Sequence, residues 1–369
     1  MPSRQDFRED VMNAKFQVTS AGYAEKPGSA RVPRFLQRDE RIELGLEVDH
    51  TRHEPVLLIG HGSSGTSICA GLIRKYCAVS FGNESQFMIR LARLSKNWGD
   101  LSDPQVLRGA VNRMLQERYF EKAEHIYGFR PTAEQIIAKV QEPSISGIYN
   151  AVFSLMADHQ QTARWGDKSP EYMEALPELA ALFPTAQYIL VVRDGRDTAL
   201  SVIPRYFGPN NLVSAALEWR DVARQGMRFF ETLPADRKLV IRYEDMMAQP
   251  IETLKIVMNF LGARPHDPQM FERIAPMVRE EVKSDNTNKW KKKMSPRERE
   301  IFESLAGPEL KYYDFETEFP NPRPASGLQL AWAPWHDRLV NTFHPRFFGN
   351  NVYRLGMRFR DWWNSGRVK

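Results

Sequence analysis

The stretch LLIGHGSSGTS, from Leu57 to Ser67, combines closely spaced glycines with hydroxyl side chains, a combination suited to binding an anion. Gly60 and Gly65 have the spacing of the G-x-x-x-x-G-K-[ST] phosphate loop, but Thr66 stands where that motif has its lysine. Glycines let the backbone approach an anion closely, and the start of a following helix offers unpaired N–H groups. Without the lysine that contacts β- and γ-phosphates, a nucleoside triphosphate is a poor ligand. The stretch predicts a site for another phosphate, with a simple tight turn as the alternative.

A second anion site is indicated by the segment VVRDGRDTALS. Arg193 stands where an apolar run ends, and Ser201 falls on the helix expected to follow, so both could reach a second phosphate beside the first. An arginine at the sheet edge and a surface serine are the structural alternative. Asp194, Arg196 and Asp197 are expected to cap the helix and brace the loop rather than contact a ligand.

The elements that would position these residues alternate between strand and helix. Short apolar runs at Pro55–Ile59, Gln187–Val192 and Lys238–Arg242 are typical of buried parallel strands, and Ser67–Tyr76 has helical spacing. This alternation predicts an α/β fold: a P-loop-like parallel sheet with helices on both faces. Residues 101–161 show helical periodicity, notably at 106–119 and 133–140, and we expect them to form a helical cap insertion over the C-terminal edge of the sheet.

Composition divides the chain into an N-terminal extension at 1–50, a main domain at 51–320 and a basic, aromatic tail at 321–369. The tail carries a net charge of +6 and the rest of the chain −1, which together give the total of +5. Because the rest of the chain is close to neutral, nucleic acid is not an expected partner. Cys69 and Cys77 would lie about 12 Å apart along one helix and cannot pair. No metal site is predicted. The polar N-terminus predicts neither a signal peptide nor a membrane span, and hence a cytoplasmic location.

Four motifs in this order resemble the sulfotransferase family that uses 3′-phosphoadenosine 5′-phosphosulfate (PAPS). They are SSGTS after the first strand, the Arg193–Ser201 segment, RYED at 242–245 and FLG at 260–262. WGDKSP at 165–170 and LFPTAQ at 182–187 resemble the branch containing tyrosylprotein sulfotransferases and many bacterial carbohydrate and small-molecule sulfotransferases. The resemblance covers roughly residues 56–316.

This resemblance implies PAPS as donor, its product PAP, and a set of donor-binding residues. Ser64, Gly65, Thr66 and Ser67 would cradle the 5′-phosphosulfate, while Arg193 and Ser201 would hold the 3′-phosphate. Ser63 departs from the family, where the position is usually basic, and could weaken donor binding. Four further residues complete the set: Tyr243 near the donor, and Asn288, Lys289 and Trp290 in NKWKKK, a segment similar to the family's donor-covering segment.

The resemblance also implies catalytic residues for transfer to a hydroxyl of a carbohydrate, lipid or small molecule. Sulfuryl transfer depends mainly on positioning and charge stabilisation, together with a base for the attacking hydroxyl. Lys168 would be the stabilising cation. The histidine base of cytosolic members is absent, and Glu84 would replace it, with His61 as a further candidate. A non-catalytic PAPS- or PAP-binding relative and a small-molecule kinase remain alternative functions.

The tail mixes aromatic side chains with arginines, a composition typical of an interfacial helix on anionic lipid. It equally suits docking on the protein's own core or on a second subunit. Docking is slightly favoured, because the apolar residues are not obviously confined to one helical face. If the tail binds a membrane, the acceptor could be a lipid or a lipid-linked sugar.

Overall fold

A five-stranded parallel sheet forms the centre of the molecule. The computed structural model describes residues 46–48, 53–205, 208–265, 267, 269–282 and 286–343. The strands are β2 (Val56–Ile59), β3 (Val79–Phe81), β4 (Arg164–Lys168), β5 (Gln187–Val192) and β6 (Lys238–Arg242), ordered β3-β4-β2-β5-β6. All neighbouring pairs in this sheet are parallel. Separately, β1 (Leu46–Val48) pairs antiparallel with β7 (Ala263–Pro265). Residues 1–45 of the predicted N-terminal extension lie outside the described residues.

Helices connect the strands. In chain order they are α1 (Thr66–Tyr76), α2 (Met88–Ser95), α3 (Pro104–Leu115), α4 (Arg118–Tyr127), α5 (Ala133–Lys139), α6 (Ile145–His159), α7 (Leu176–Leu182), α8 (Gly195–Val202), α9 (Leu212–Thr232), α10 (Tyr243–Ala248), α11 (Pro250–Leu261), α12 (Met270–Glu281), α13 (Trp290–Lys293), α14 (Pro296–Tyr312) and α15 (Gly327–Phe343). Short 3₁₀ turns occupy Pro170–Glu174 and Ala235–Arg237.

Successive residues of the central strand belong to two different cores. Leu57 and Ile59 pack with α6 and α9, whereas Val56 and Leu58 pack with α1, α11 and α12. Because side chains alternate across a strand, this division shows helices on both faces of the sheet. All four residues are fully buried, which explains why a continuous apolar run encodes this strand. The predicted α/β class with its parallel sheet is confirmed.

Within the five-stranded sheet, the sequence located β2, β5 and β6 but missed two strands. β3 is three residues long, and β4 reads Arg-Trp-Gly-Asp-Lys, so neither has the apolar run by which a buried strand is recognised. The helix predicted at 106–119 is two helices, since α3 ends at Leu115 and α4 begins at Arg118. The break brings Glu117 inside, where its carboxylate accepts hydrogen bonds from Arg90 and Arg113 at 2.6 and 2.7 Å.

The helical insertion occupies two positions relative to the sheet. The longest of its helices, α6, packs on the sheet face, where the Phe153 and Trp165 rings stack with centroids 4.8 Å apart. By contrast, α4 borders the C-terminal end of β3, where the Asn83 amide lies 3.5 Å from the Tyr119 carbonyl oxygen. One helix of the insertion therefore borders the C-terminal end of β3, and another contributes to the core.

Candidate functional site

The loop after β2 leads into a helix with free backbone donors in its first turn. Gly65 occupies the N-cap position of α1 with φ of 94°, and no side chain caps the helix. A Cβ at Gly65 would lie 2.3 Å from the Tyr243 ring, so this position requires glycine. The N–H groups of Thr66 and Ser67 have no intrahelical acceptor, and the Ser67 side chain is exposed. This helix start can bind an anion.

Two loop serines contribute differently from the sequence prediction. Ser63 has a left-handed φ of 68°, and its carbonyl oxygen, not its side chain, makes the observed contact with Arg193. The Ser64 N–H donates to the His61 carbonyl at 3.1 Å, and the buried Ser64 Oγ has no hydrogen-bond partner. In this conformation Ser64 has no exposed donor to offer a phosphate.

Arg193 joins the two predicted anion groups. Its Nη1 donates to the Ser63 carbonyl at 3.0 Å and to Ser201 Oγ at 3.1 Å. Its guanidinium carbon lies 4.8 Å from the centre of the Tyr243 ring, and the side chain is buried. Strand β5 ends one residue earlier, and Asp194 caps α8 by accepting from the Arg196 N–H at 2.9 Å. The two groups therefore adjoin, as a single ligand with two phosphates would require.

The segment before α13 is fixed beside α8. Arg193 Nη2 donates to the Asn286 carbonyl, and the Trp290 N–H donates to Asp197 at 2.9 Å. The Asn288 N–H also donates to the Asp197 carboxylate, and Lys289 donates to the Asn286 side chain. Trp290 is buried, with its ring 3.5 Å from the Arg196 guanidinium carbon. This placement makes Trp290 a brace for the segment, whereas Lys289 remains at the surface.

Glu84 and Lys168 meet at the same edge. Lys168 Nζ donates to Glu84 Oε1 and, at 3.2 Å, to Ser67 Oγ in the first turn of α1. Their positions follow from the sheet order: Lys168 is the last residue of β4, which lies between β2 and β3, and Glu84 follows β3. Glu84 Oε2 accepts from Gln86 at 2.9 Å. A carboxylate and an ammonium group thus stand beside the helix start.

A buried carboxyl connects the strand that carries Lys168 to the loop that carries Glu84. Asp167 Oδ2 accepts from Ser85 Oγ at 2.8 Å and from the Tyr172 hydroxyl. Burial raises the pKa of Asp167 to about 6, although these two hydrogen bonds oppose the rise. Since the folded state binds this proton more tightly, Asp167 favours folding at low pH, and that contribution is lost as pH rises from about 4 to 6.

Sequence reasoning missed Ser85, Asp167 and Tyr172 as parts of the site. Asp167 lies within the WGDKSP motif and Ser85 directly follows Glu84, so adjacency to predicted residues was the available signal. Their meeting depends on β3 pairing with β4, and neither strand was recognised. The two cysteines were predicted to be unpaired, and both are free and buried.

The surroundings of His61 and of the acidic residues bear on two other roles, that of a histidine base and that of a metal site. His61 Nδ1 donates to the Gly62 carbonyl at 2.7 Å, and its Nε2 lies 3.0 Å from Glu218, so the ring makes local contacts. Burial raises the pKa of Glu244 to about 7, and its Oε1 accepts from the Asp194 N–H. Within the described residues, no group of three or more His, Cys, Asp or Glu is arranged to bind a metal ion.

Comparison with known proteins adds a family to this geometry. A model described as the sulfotransferase family matches residues 55–268. A protein-tyrosine sulfotransferase from Drosophila melanogaster is 24% identical over 244 residues, covering 64% of this chain and 43% of the relative. Protein-tyrosine sulfotransferase 1 from Danio rerio is 28% identical over 225 residues, covering 58% and 54%. The chain spans about half the length of the curated relatives it matches.

Comparison with solved structures also finds sulfotransferases. The sulfotransferase domain from the curacin biosynthetic pathway has a TM-score of 0.46 at 16% identity, covering 72% of this chain and all of that domain. A mouse sulfotransferase complexed with PAP has a TM-score of 0.41 at 15% identity, covering 70% and 85%.

Proposed function

The chain belongs to the sulfotransferase family, and from that membership we propose that it transfers the sulfuryl group of PAPS to an acceptor hydroxyl. The observation that carries the proposal is the meeting of three groups at one sheet edge. They are the uncapped start of α1, the Glu84–Lys168 pair beside it, and Arg193 with Ser201. A phosphate-binding loop alone could bind many ligands. This combination provides groups for binding the donor and groups for the transfer.

The donor fits the residues at this edge. The amides of Thr66 and Ser67 offer hydrogen bonds and the positive end of a helix to the 5′-phosphosulfate. Arg193 and Ser201 offer a charge-assisted donor and a hydroxyl to the 3′-phosphate. Lys168 supplies a positive charge beside the loop at which Ser63 replaces the family's usual basic residue. We assign donor binding mainly to these groups.

Transfer requires a base and a stabilised leaving group. As the acceptor oxygen bonds to sulfur, the bond between sulfur and the bridging oxygen breaks, and PAP leaves with the electron pair. Glu84 takes the acceptor proton, and Lys168 balances the negative charge that develops on the bridging oxygen. The contact between Glu84 and Lys168 keeps both groups beside the start of α1.

The relatives suggest one acceptor to assay first. They are named protein-tyrosine sulfotransferases, so we propose the phenolic hydroxyl of a tyrosine in a peptide or protein as a candidate acceptor. Carbohydrate, lipid and small-molecule hydroxyls form the comparison panel. When each compound of the panel is incubated with radiolabelled PAPS, the compound that gains the label is the acceptor.

The donor assignment predicts selectivity for a 3′-phosphate. We expect calorimetry to show PAP binding roughly tenfold or more tighter than AMP, because only PAP can use the Arg193 and Ser201 donors. ATP should bind more weakly than PAP, since the loop lacks the lysine that contacts a γ-phosphate. Equal affinity for PAP and AMP would contradict the assignment, and a preference for ATP would favour a kinase.

We also propose that Ser85 is a positioning residue for Glu84. Removing its hydroxyl in Ser85→Ala breaks the 2.8 Å bond to Asp167, which is one of the links between the Glu84 loop and β4. We expect a roughly three- to tenfold lower kcat with PAP affinity unchanged, and recovery in Ser85→Thr. In a Glu84→Gln background the same substitution should cost little more, because its effect passes through Glu84. An equal loss in both backgrounds would show that Ser85 acts independently of Glu84.

A further inference from the structure

Helix α15 exposes a concentration of large apolar side chains. Of the nine such exposed side chains among the described residues, six lie on this helix, and they are Leu328, Leu330, Trp332, Trp335, Leu339 and Phe343. Single exposed apolar residues are ordinary, but a contiguous group marks an interaction surface. The surface is independent of the donor site and of the reaction proposed for it.

Five of these residues form one stripe. Leu328, Trp332, Trp335, Leu339 and Phe343 follow one another at intervals of four, three, four and four residues. At 3.6 residues per turn they occupy about 80° of the helix circumference. They are between 56% and 84% exposed, and we call them the α15 stripe.

The opposite face of α15 attaches the helix to the body. Ala333 is buried, and its carbonyl accepts from the Asn211 side chain at 3.0 Å. Asp337 Oδ1 accepts from the Asn210 N–H at 2.8 Å and from Asn211 Nδ2 at 2.9 Å. This face of α15 thus packs on the protein's own body. Sequence reasoning did not recognise that five of the six exposed large apolar residues of α15 share the other face.

Helix α15 is attached at the same end of the sheet as the donor site. Helix α9 ends shortly before the parallel strand β6 begins, so its own start lies toward the C-terminal edge of the sheet. Asn210 and Asn211, which hold α15, immediately precede α9. The attachment of α15 therefore lies toward the edge where the loop of α1 and the Glu84–Lys168 pair are found.

Composition and charge favour a lipid surface as the partner of the α15 stripe. The stripe contains only Trp, Leu and Phe, the residues by which interfacial helices enter the headgroup region. Arg338 is exposed beside it, 5.5 Å from the Trp335 ring centre. Residues 344–369, which lie outside the described part, add six Lys or Arg and one acid. A second copy would bring two such basic segments together, whereas an anionic membrane complements them.

We propose that the α15 stripe docks this protein peripherally on an anionic lipid surface. None of the described helices is long and apolar enough to cross a bilayer. The proposal predicts that both apolar contact and charge contribute. Binding should therefore depend on anionic lipid and weaken as salt increases.

The test compares vesicle binding of the full chain with that of a stripe variant. We expect co-sedimentation with vesicles containing phosphatidylserine and much less with phosphatidylcholine alone. Trp332→Ser/Trp335→Ser should reduce the partition coefficient roughly tenfold or more, since it removes two exposed anchors from the apolar face. Ile256→Ser is the matched control, because Ile256 is 55% exposed on α11, away from the stripe, and its loss should leave binding unchanged.

The outcomes separate lipid from other occupants. An unchanged thermal midpoint shows that the stripe variant folds, as expected for substitutions of exposed side chains. Equal sedimentation of variant and parent would overturn the proposal, as would failure of the parent to bind anionic vesicles. A dimer in sedimentation velocity that the double variant abolishes, without vesicle binding by the parent, would assign the stripe to a second copy and reject lipid.

Discussion

Glu84→Gln is expected to lower sulfuryl transfer by roughly 10²-fold or more while leaving PAP affinity within about twofold. The amide keeps the size of the side chain but cannot accept the proton of the attacking hydroxyl. Donor contacts should persist, because Lys168 keeps its bond to Ser67 and the start of α1 is unchanged. Single-turnover transfer from labelled PAPS and calorimetry with PAP measure the two quantities separately.

The matched control for this prediction is Glu121→Gln on α4. Glu121 is an exposed glutamate on the helix that borders the Glu84 loop, so it tests whether removing a nearby negative charge is sufficient to impair transfer. Its turnover should equal that of the parent. A fully active Glu84→Gln enzyme would exclude Glu84 as the base. A parent that binds PAP but transfers to no acceptor in the panel would instead support the non-catalytic alternative.

The strands that the sequence predicted are those with a short continuous run of apolar residues. β2 and β5 were recognisable because residues such as Leu57, Ile59 and Leu190 must all be apolar in a strand covered on both faces. β6 is a partly exposed edge strand and was recognised by its short apolar run alone. β4 is also an interior strand of the sheet, but it carries Arg164 and Asp167, whose side chains bond to Gln187 and Ser85 on other segments. Local pattern cannot reveal a strand whose polar residues are bonded across the fold.

The site was likewise easier to predict where its residues lie within one motif than where strand pairing brings them together. Residues within one motif, such as Arg193 and Ser201, are placed by a single strand-to-helix turn, and the structure brings them together at 3.1 Å. The Glu84–Lys168 pair joins segments 84 positions apart, and only the resemblance to known sulfotransferases suggested that they cooperate. Ser85 was not predicted, because its partner Asp167 becomes adjacent only when β3 pairs with β4.

Arg193 has a structural role besides the ligand contact proposed for it. It bonds to Ser63, Ser201 and Asn286, which belong to three separate segments. The same guanidinium that would meet a 3′-phosphate therefore holds the phosphate loop against α8 and against the segment leading to α13. Tests of this residue must separate ligand contact from loop support.

Arg193→Ala is expected to weaken PAP binding roughly 10- to 100-fold, since it removes charge-assisted hydrogen bonds to the 3′-phosphate. AMP has no 3′-phosphate, so its affinity should change far less if the arginine acts by direct contact. The decisive quantity is the ratio of PAP to AMP affinity, measured by calorimetry. This ratio should approach one in Arg193→Ala and keep part of its parental value in Arg193→Lys, which keeps the charge but loses the planar guanidinium.

Two further variants distinguish contact with the ligand from support of the loop. Ser201→Ala removes the hydroxyl that Arg193 contacts at 3.1 Å and should reduce PAP affinity by a smaller factor without affecting AMP. Arg228→Ala, which removes an exposed arginine from α9, controls for overall charge and should leave both affinities unchanged. If Arg193→Ala weakened PAP and AMP equally, the arginine would support the loop alone, and the 3′-phosphate would have to be bound elsewhere.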